Sequence, residues 1–286
     1  MKCFCCGSKK IRSFLLNQNN YHRCGYCGFI CKQKNGEKQS KRDLVQHYDT
    51  ADPHDKVADA KRDFFYRALV HLQGMATQKK CLLDVGCGNG YFLEMAIRNG
   101  WEGTGVEISE NAVRHSREVL GEGNIFRGTL AEANFKDDSF NAITLWDVLV
   151  FSDDLEAEIE ECYRLLKRGG KIGIRVRNVL FQQWLYRIYS PFRRTFLKIG
   201  VKTPYVFHPN NFTANSVYLL LYRFGYSNIK ISNSPLTRGD PYGYHNIVGL
   251  VRVFKDLIFC SSELLWRLSS KRWVTGPSLL IWANKP

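Results

Sequence analysis

The sequence has few acidic residues in its last third, no long apolar run and no evident leader segment. From residue 178 to 286 it has 3 Asp and Glu against 14 Lys and Arg. No stretch of 18 apolar residues occurs, and the N-terminus lacks the basic-then-apolar pattern of a secretory signal. We therefore expect a cytoplasmic protein whose 10 cysteines are thiols or metal ligands, because a reducing compartment disfavours structural disulfides.

The net charge of +14 is unevenly distributed along the chain. Residues 1–80 carry 16 basic and 7 acidic side chains, and residues 81–177 carry 11 and 17. An acidic middle segment therefore lies between two basic flanks. Basic flanks attract anions such as nucleic acid, phosphorylated sugars or an anionic membrane surface. The alternative is that these charges form an ordinary solvated surface that keeps the protein in solution.

Two Cys-x-x-Cys pairs, each followed by glycine, lie near the N-terminus and comprise Cys3, Cys6, Cys24 and Cys27. Four thiolates at this spacing can close a tetrahedron around zinc, and so short a segment has too small a core to fold without it. We predict a structural zinc ribbon over residues 1–31. Cys5 or Cys31 could replace one ligand, and four free cysteines are the alternative.

The 286 residues, 44% of them hydrophobic, can form one large core with a small appendage. Residues 32–50 begin with a basic segment free of apolar side chains and are predicted to be a linker. Residues 51–286 are predicted to form the main domain. Its first helix starts at Asp52-Pro53 and continues to Gly74, because apolar residues recur there at helical spacing.

The clearest pattern is a glycine loop between a predicted strand and a predicted helix. Residues 81–85 form an apolar, buried strand, and Gly86, Gly88 and Gly90 alternate after it. Glu107 ends the next predicted strand, where a carboxylate can accept hydrogen bonds from both hydroxyls of a ribose. The loop lacks the Lys-Ser/Thr pair of a triphosphate site. We expect a nucleotide-like cofactor at the carboxyl edge of a parallel sheet.

Together with residues 128–149, 165–171 and 208–213, this pattern resembles class I S-adenosylmethionine-dependent methyltransferases. The resemblance is strongest to the ubiquinone-biosynthesis-like branch, which often carries an N-terminal zinc ribbon. It implies an α/β fold with a doubly wound, seven-stranded, mostly parallel, Rossmann-like sheet. It also implies S-adenosylmethionine as the cofactor and an antiparallel pairing of the last two strands.

The alternation of patterns places the strands near 81–85, 103–107, 123–127, 140–146, 171–176, 226–232 and 278–283. Helices are predicted near 91–99, 110–120, 154–167 and 213–224. The predicted N-caps are Ser109, Ser152 and Thr213.

The resemblance implies cofactor contacts from Asp84, Gly86, Gly88, Gly90, Glu107, Thr129, Leu130 and Trp146. In this assignment Asp84 and Gly86 hold the amino-acid end of the cofactor, and Glu107 holds the ribose. Thr129 and Leu130 lie at the adenine edge, where Leu130 would act through its backbone.

The catalytic assignment is less direct. Asp147 follows the fourth predicted strand and could orient the sulfonium, act as a base or be structural. The family often has Glu-His where this chain has Val150-Phe151, which removes a convenient imidazole. We therefore take His208 as the preferred base, with His245 as a second candidate.

Residues 234–276 separate the last two predicted strands, which the family often joins by a short turn. They contain a wide apolar stripe with basic edges, and residues 181–198 form a second aromatic and basic segment. Such helices can lie on a membrane, cover a substrate pocket, form a dimer face or pack on the core. We predict a helical insertion at 234–276, with peripheral membrane contact through 247–272 as one role.

The acceptor predicted from the sequence is a small hydroxylated molecule: a sugar, a nucleotide-sugar or a lipid-linked glycan. Basic flanks suit such phosphate-bearing acceptors. The alternative is an RNA methyltransferase whose zinc ribbon and basic flanks bind phosphates. A third class, a non-catalytic scaffold, is disfavoured by the intact glycine loop and Glu107.

Overall fold

A computed structural model describes residues 1–16, 19–33, 54–75, 80–198, 205–237 and 248–286. The predicted second base, His245, lies outside these ranges, as do most residues of the predicted linker. Within the described ranges the strands form a large sheet of seven strands and a small sheet of four.

The strands of the chain, in order, are β1 Ile11–Leu16, β2 Asn19–Cys24, β3 Ile30–Lys32, β4 Cys81–Val85, β5 Glu102–Glu107, β6 Ile125–Arg127, β7 Phe140–Trp146, β8 Leu166–Arg177, β9 Asn210–Asn211, β10 Ser227–Asn233 and β11 Ser278–Asn284. The α-helices are α1 His54–Gln73, α2 Tyr91–Arg98, α3 Glu110–Leu120, α4 Leu155–Leu165, α5 Val179–Tyr189, α6 Arg193–Lys198, α7 Ala214–Arg223 and α8 Val248–Leu268. A 3-10 turn over Ser190–Phe192 joins α5 to α6.

The large sheet has the order β10-β11-β8-β7-β4-β5-β6. Its strands from β8 to β6 pair in parallel, whereas β11 runs antiparallel to both β8 and β10. This confirms the predicted seven-stranded, mostly parallel sheet. From β4 the chain adds β5 and β6 on one side, and it then crosses back to place β7 on the other side of β4. Ligands of open α/β sheets bind at such a switch point, beyond the carboxyl ends of the strands.

The helix boundaries follow local capping. Ser109 accepts a hydrogen bond from Ala112 N, and Thr213 forms a capping box, so both predicted N-caps are confirmed. The prediction for Ser152 was wrong. Asp154 caps α4 because its extended backbone directs the carboxylate to Ala157 N, whereas the Ser152 hydroxyl donates to Glu158 within the helix.

The small sheet has the order β1-β2-β3-β9. Its first three strands come from the predicted ribbon, but β9 comes from a segment near residue 210, where Ile30 pairs with Asn211. The Thr213 hydroxyl donates to Cys27 O at 2.6 Å, and the Phe29 and Phe212 rings lie 5.2 Å apart. The ribbon is therefore joined to the main domain by a strand pair and a shared core.

The insertion before β11 contains α8, whose residues Ser262 and Glu263 accept hydrogen bonds from Asn233 of β10. Asn178, the N-cap of α5, donates to the carbonyls of Val274 and Gly276 after α8. The start of α5 and the segment that joins α8 to β11 therefore lie together at the carboxyl edge of β8. Among the described helices, none combines the length and apolarity required to cross a membrane.

Candidate active site

The glycine loop after β4 turns sharply at the switch point of the sheet. Gly86, Gly88 and Gly90 have positive φ values of 66°, 54° and 79°. A Cβ at Gly86 would lie 2.5 Å from Val148 Cγ2, whereas a Cβ at Gly88 would meet no heavy atom within 4 Å. The first glycine therefore permits close packing, and the second presents its backbone to open space, where a ligand can approach.

Glu107 lies beside this loop at the end of β5. Its Oε2 accepts a hydrogen bond from Gly88 N at 2.8 Å, and its Oε1 accepts from Ile108 N and Ser109 N at 2.8 and 2.9 Å. A carboxylate has about four lone-pair sites, so acceptance from a ribose hydroxyl remains available. The glycine loop and the Glu107 carboxylate therefore lie next to each other, as predicted.

Asp84 is buried at 2% exposure and accepts a hydrogen bond from Thr144 Oγ1 at 2.6 Å. Burial raises its pKa to about 7, and the nearby Glu107 carboxylate adds to this increase, while Thr144 and Lys61 oppose it. A cationic group of a bound ligand would favour the ionised form. Asp84 is therefore suited to the ammonium of the cofactor's amino-acid end.

Asp147 follows β7 in a left-handed backbone conformation with φ of 65°. Its Oδ2 accepts from Lys61 Nζ at 2.9 Å and from Arg175 Nη1 at 2.6 Å. Burial would raise the pKa of this carboxyl, but the two cations hold it well below its usual range. Asp147 is consequently a weak base and a strong anchor, since it joins α1 to β8.

Lys61 and Arg175 were not identified from the sequence. Arg175 is a buried cation that also donates to Ser234 and Thr237 and lies 5.0 Å from the Phe64 ring. The available signal was a charged residue interrupting the otherwise apolar interior of a predicted strand. Such an interruption indicates a paired or functional charge, because an unpaired buried charge is costly.

Thr129 and Leu130 follow β6 and lie near the end of β5, since Gly128 N donates to Glu107 O. Thr129 N donates to Glu132 Oε2 at 2.7 Å, and its hydroxyl accepts from Glu132 N. The Leu130 side chain is buried in the core. The backbone of this turn is thus the part suited to the adenine edge.

The Trp146 ring packs in the core rather than toward the loop. It makes edge-on contacts with Phe64, Phe92 and Trp282 at centroid distances of 5.0, 5.3 and 5.9 Å. These aromatic pairs join α1 and α2 to the sheet. Any cofactor contact from Trp146 would therefore come from its backbone.

His208 lies beside the segment that follows β7. Its ring packs edge-on against Phe151 at 4.8 Å, and Asn210 N donates to Val150 O. Asn211 fixes the His208 backbone through two hydrogen bonds. The imidazole is therefore placed next to Val150-Phe151, the position at which the resembling family often has Glu-His.

The four predicted metal ligands converge within the ribbon. The Sγ atoms of Cys3, Cys6, Cys24 and Cys27 all lie within 4.8 Å of one another. The Cys3–Cys27 and Cys6–Cys24 sulfur pairs are 3.6 Å apart, near the ~3.8 Å edge of a tetrahedron with Zn–S bonds of about 2.3 Å. The donor set therefore fits zinc.

Comparison with known proteins agrees with this geometry. The family described as "Methyltransferase domain" matches residues 4–231 of this chain. The ubiquinone biosynthesis O-methyltransferase of Idiomarina loihiensis is 32% identical over 127 residues, which cover 42% of this chain and 51% of that protein. The match thus spans about half the length of that curated relative.

Solved structures share the fold at low sequence identity. Phosphoethanolamine N-methyltransferase 2 of Haemonchus contortus, in complex with S-adenosyl-L-methionine, gives a TM-score of 0.53 at 15% identity and covers 96% of this chain and 71% of its own. A methyltransferase of Thermotoga maritima, described as a possible histamine N-methyltransferase, gives a TM-score of 0.51 at 17% identity, with coverages of 85% and 97%.

Replacing the Glu107 carboxylate should weaken cofactor binding. We expect Glu107→Gln to raise the Kd for S-adenosylmethionine at least about tenfold, because an amide accepts through one oxygen and carries no charge. Isothermal titration calorimetry measures this. The matched control is Glu110→Gln, which removes only a surface pair with Arg127. An unchanged Kd in Glu107→Gln would contradict the assignment.

Asp84 should make the stability of the cofactor-free protein depend on pH. Its folded pKa, about 7, lies above the ordinary value of 3.8, so its contribution is fully present below 3.8 and is lost as pH rises through 7. Asp84→Asn removes this dependence while retaining an acceptor for Thr144. The variant should gain up to about 4 kcal/mol over the wild type between pH 4 and pH 8.

Urea unfolding across this pH range checks the expectation for Asp84. Asp138→Asn, at an exposed carboxyl paired with Lys285, serves as the control and should show no such trend. A stability difference between Asp84→Asn and wild type that is the same at every pH would refute the role of the buried carboxyl.

Proposed function

Since the chain belongs to the methyltransferase-domain family and is an S-adenosylmethionine-dependent methyltransferase, we propose that it methylates a hydroxyl oxygen of a small acceptor. The acceptor class that the basic flanks favour is a sugar, a nucleotide-sugar or a lipid-linked glycan, although none of the relatives cited above is named for such an acceptor. The observation that carries the proposal is the position of His208 against Phe151, beside the carboxyl edge of β7. The O-methyltransferase name of the Idiomarina relative supports oxygen as the acceptor atom.

S-adenosylmethionine supplies a methyl group that its sulfonium already activates. The protein's contribution is to hold the acceptor in line with that methyl group, exclude water and remove a proton. The glycine loop and Glu107 would hold the cofactor, and Asp84 would pair with the ammonium of its amino-acid end. Positioning alone can supply about 7–11 kcal/mol of the barrier in favourable cases.

A hydroxyl acceptor also needs a general base, because an alcohol is a poor nucleophile until its proton is transferred. Asp147 is unsuited to this step, since Lys61 and Arg175 stabilise its ionised form. His208 is the candidate base and would accept the hydroxyl proton at an imidazole nitrogen. In this scheme Asp147 is a positioning residue that holds α1 over the edge of the sheet.

RNA methylation, the alternative from the sequence, gains no support from the relatives cited above. Those proteins are named for ubiquinone biosynthesis, phosphoethanolamine and, as a possibility, histamine. We therefore do not carry it forward as a second proposal, but it remains an outcome that the acceptor experiment can reveal.

The acceptor experiment uses S-adenosylmethionine with a deuterated methyl group and purified protein. Separate pools of sugars, nucleotide-sugars, extracted glycolipids and total RNA are incubated and then examined by mass spectrometry. We expect the deuterated methyl group on a hydroxyl oxygen in one of the first three pools. Label in RNA alone, or on nitrogen or carbon, would overturn the proposal.

The same assay tests the base. His208→Gln should lower the rate of label transfer by about 10²–10⁴-fold and leave cofactor affinity unchanged, because the base acts on the acceptor proton. His22→Gln, a change on β2 where the imidazole is hydrogen-bonded to Ser13, should have little effect. Equal rates for wild type and His208→Gln would exclude His208 as the base.

We also propose that Cys3, Cys6, Cys24 and Cys27 hold one structural zinc ion. Their converging sulfurs support this, and a closed four-thiolate site leaves no position for chemistry. Elemental analysis should find about one zinc per chain. Cys24→Ser should lose zinc and unfold at lower temperature, because metal binding contributes folding energy.

The control for zinc binding is Cys260→Ser, which changes an exposed cysteine outside the cluster. It should retain both the metal content and the melting temperature of the wild type. A zinc-free preparation whose melting temperature is insensitive to Cys24→Ser and to added zinc would refute the metal site.

A further inference from the structure

An exposed apolar stripe runs along α5 and the turn that follows it. Side chains four residues apart along this segment are 45–60% exposed, namely Leu180, Trp184, Ile188 and Phe192. The opposite face, which includes Val179 and Tyr189, is buried. The core packs against the buried face of α5. The apolar side chains of the exposed stripe therefore contribute no packing to that core.

A second stripe lies on α8. Its exposed apolar residues recur at helical spacing and are Val253, Leu257, Leu264 and Leu268. The segment after the helix adds the exposed ring of Trp273. Ser262, on the other side of α8, is buried and contacts Asn233 of β10.

The two stripes belong to neighbouring segments. The Asn178 side chain at the start of α5 donates to Val274 O at 3.1 Å and to Gly276 O at 3.0 Å. Arg177 at the end of β8 pairs with Ser278 at the start of β11. We call residues 179–198 together with 253–273 the edge surface, because the residue before the first segment is hydrogen-bonded to the residues after the second at the carboxyl edge of the sheet.

The edge surface is strongly basic. Residues 179–198 contain four cationic and no acidic side chains, and the cations are Arg187, Arg193, Arg194 and Lys198. The end of α8 and the residues after it add Arg267, Lys271 and Arg272. The surface contains two acidic side chains, the exposed Asp256 and Glu263, which accepts a hydrogen bond from Asn233.

We propose that the edge surface docks on an anionic lipid bilayer, with α5, α6 and α8 lying in the membrane interface. Apolar stripes would enter the headgroup region, and the flanking cations would contact anionic lipid. Trp184 and Trp273 suit this boundary, because indole rings have an apolar body and a polar edge.

Other occupants match the surface less well. A second copy of the chain would bring two strongly cationic surfaces together, which like-charge repulsion opposes. RNA would satisfy the cations but leave the aliphatic side chains of Leu180, Ile188 and Leu264 without an apolar partner. Only a bilayer offers an anionic layer directly above an apolar one.

Docking in this orientation would bring the bilayer to the carboxyl edge, where Glu107 and Asp147 end their strands. An acceptor carried by lipid could then reach the site without leaving the membrane. The binding proposal itself does not depend on the acceptor, because it concerns only protein and lipid.

The test is co-sedimentation of the full chain with vesicles of phosphatidylcholine, alone or mixed with phosphatidylglycerol. We expect sedimentation with the mixed vesicles and a decrease with added salt. The double change Arg193→Glu and Arg194→Glu should weaken binding at least about 25-fold, since each cation near an anionic surface contributes about fivefold. Trp184→Gln with Ile188→Gln should also reduce it strongly.

Matched controls change similar residues elsewhere. Val119→Gln on α3 replaces an exposed apolar side chain, and Arg98→Glu on α2 reverses an exposed cation. Both should bind lipid like the wild type. The melting temperature and cofactor affinity of each variant show that it is folded.

Three results would overturn the proposal: no vesicle binding by the wild type, equal binding to neutral and anionic vesicles, or edge-surface variants that bind as well as the controls. Light scattering in the absence of lipid distinguishes a dimer interface, since the apolar variant would then change the oligomeric state. Because no acceptor is used, failure here is distinguishable from failure of the proposed methylation.

Discussion

The hydrogen bonds that join Glu107 to the glycine loop are the constraint on which the site depends. Gly88 N donates to one carboxylate oxygen, and two amides after β5 donate to the other. Gly86 allows the loop to approach Val148 more closely than any side chain would permit. These hydrogen bonds and this close packing therefore fix the path of the loop and the position of the carboxylate together.

Two carboxyl groups at the same edge of the sheet are given opposite properties. Burial, with a smaller contribution from the nearby Glu107 carboxylate, raises the pKa of Asp84 to about 7, although the hydrogen bond from the Thr144 hydroxyl opposes this increase. Asp147 is held between Lys61 and Arg175, which keep it ionised. Environments that separate two pKa values in this way assign different roles to similar groups. Here one carboxyl is suited to a cationic ligand, and the other joins α1 to β8.

The ribbon has a consequence for the candidate base. Its strand β3 pairs with β9, and Asn211 of β9 donates both to Ile30 O and to His208 O. Asn211 also accepts from His208 N. The four-cysteine cluster therefore supports, through one short strand pair, the backbone that positions His208. The ribbon is part of the site's scaffold as well as an N-terminal appendage.

Much of the fold was predictable from the sequence. The strand and helix alternation, the caps at Ser109 and Thr213, and the places of the glycine loop and Glu107 at the ends of neighbouring strands were identified correctly, and the cofactor contacts assigned to them stay predictions. The cap of α4 was not, because Ser152 and Asp154 are both good cap residues, and the backbone path selects between them. The roles of Lys61 and Arg175 were also missed, because their common partner is distant in the chain.

The sequence by itself determined the features that depend on neighbouring residues: the turn at Gly86 and Gly88, and the thiol spacing of the ribbon. Only the tertiary structure decided which cations neutralise Asp147, which strand receives the ribbon and what lies beside His208. Those contacts join residues far apart in the chain. The charge state of a buried group depends on its spatial neighbours, so its role could be assigned only from the folded chain.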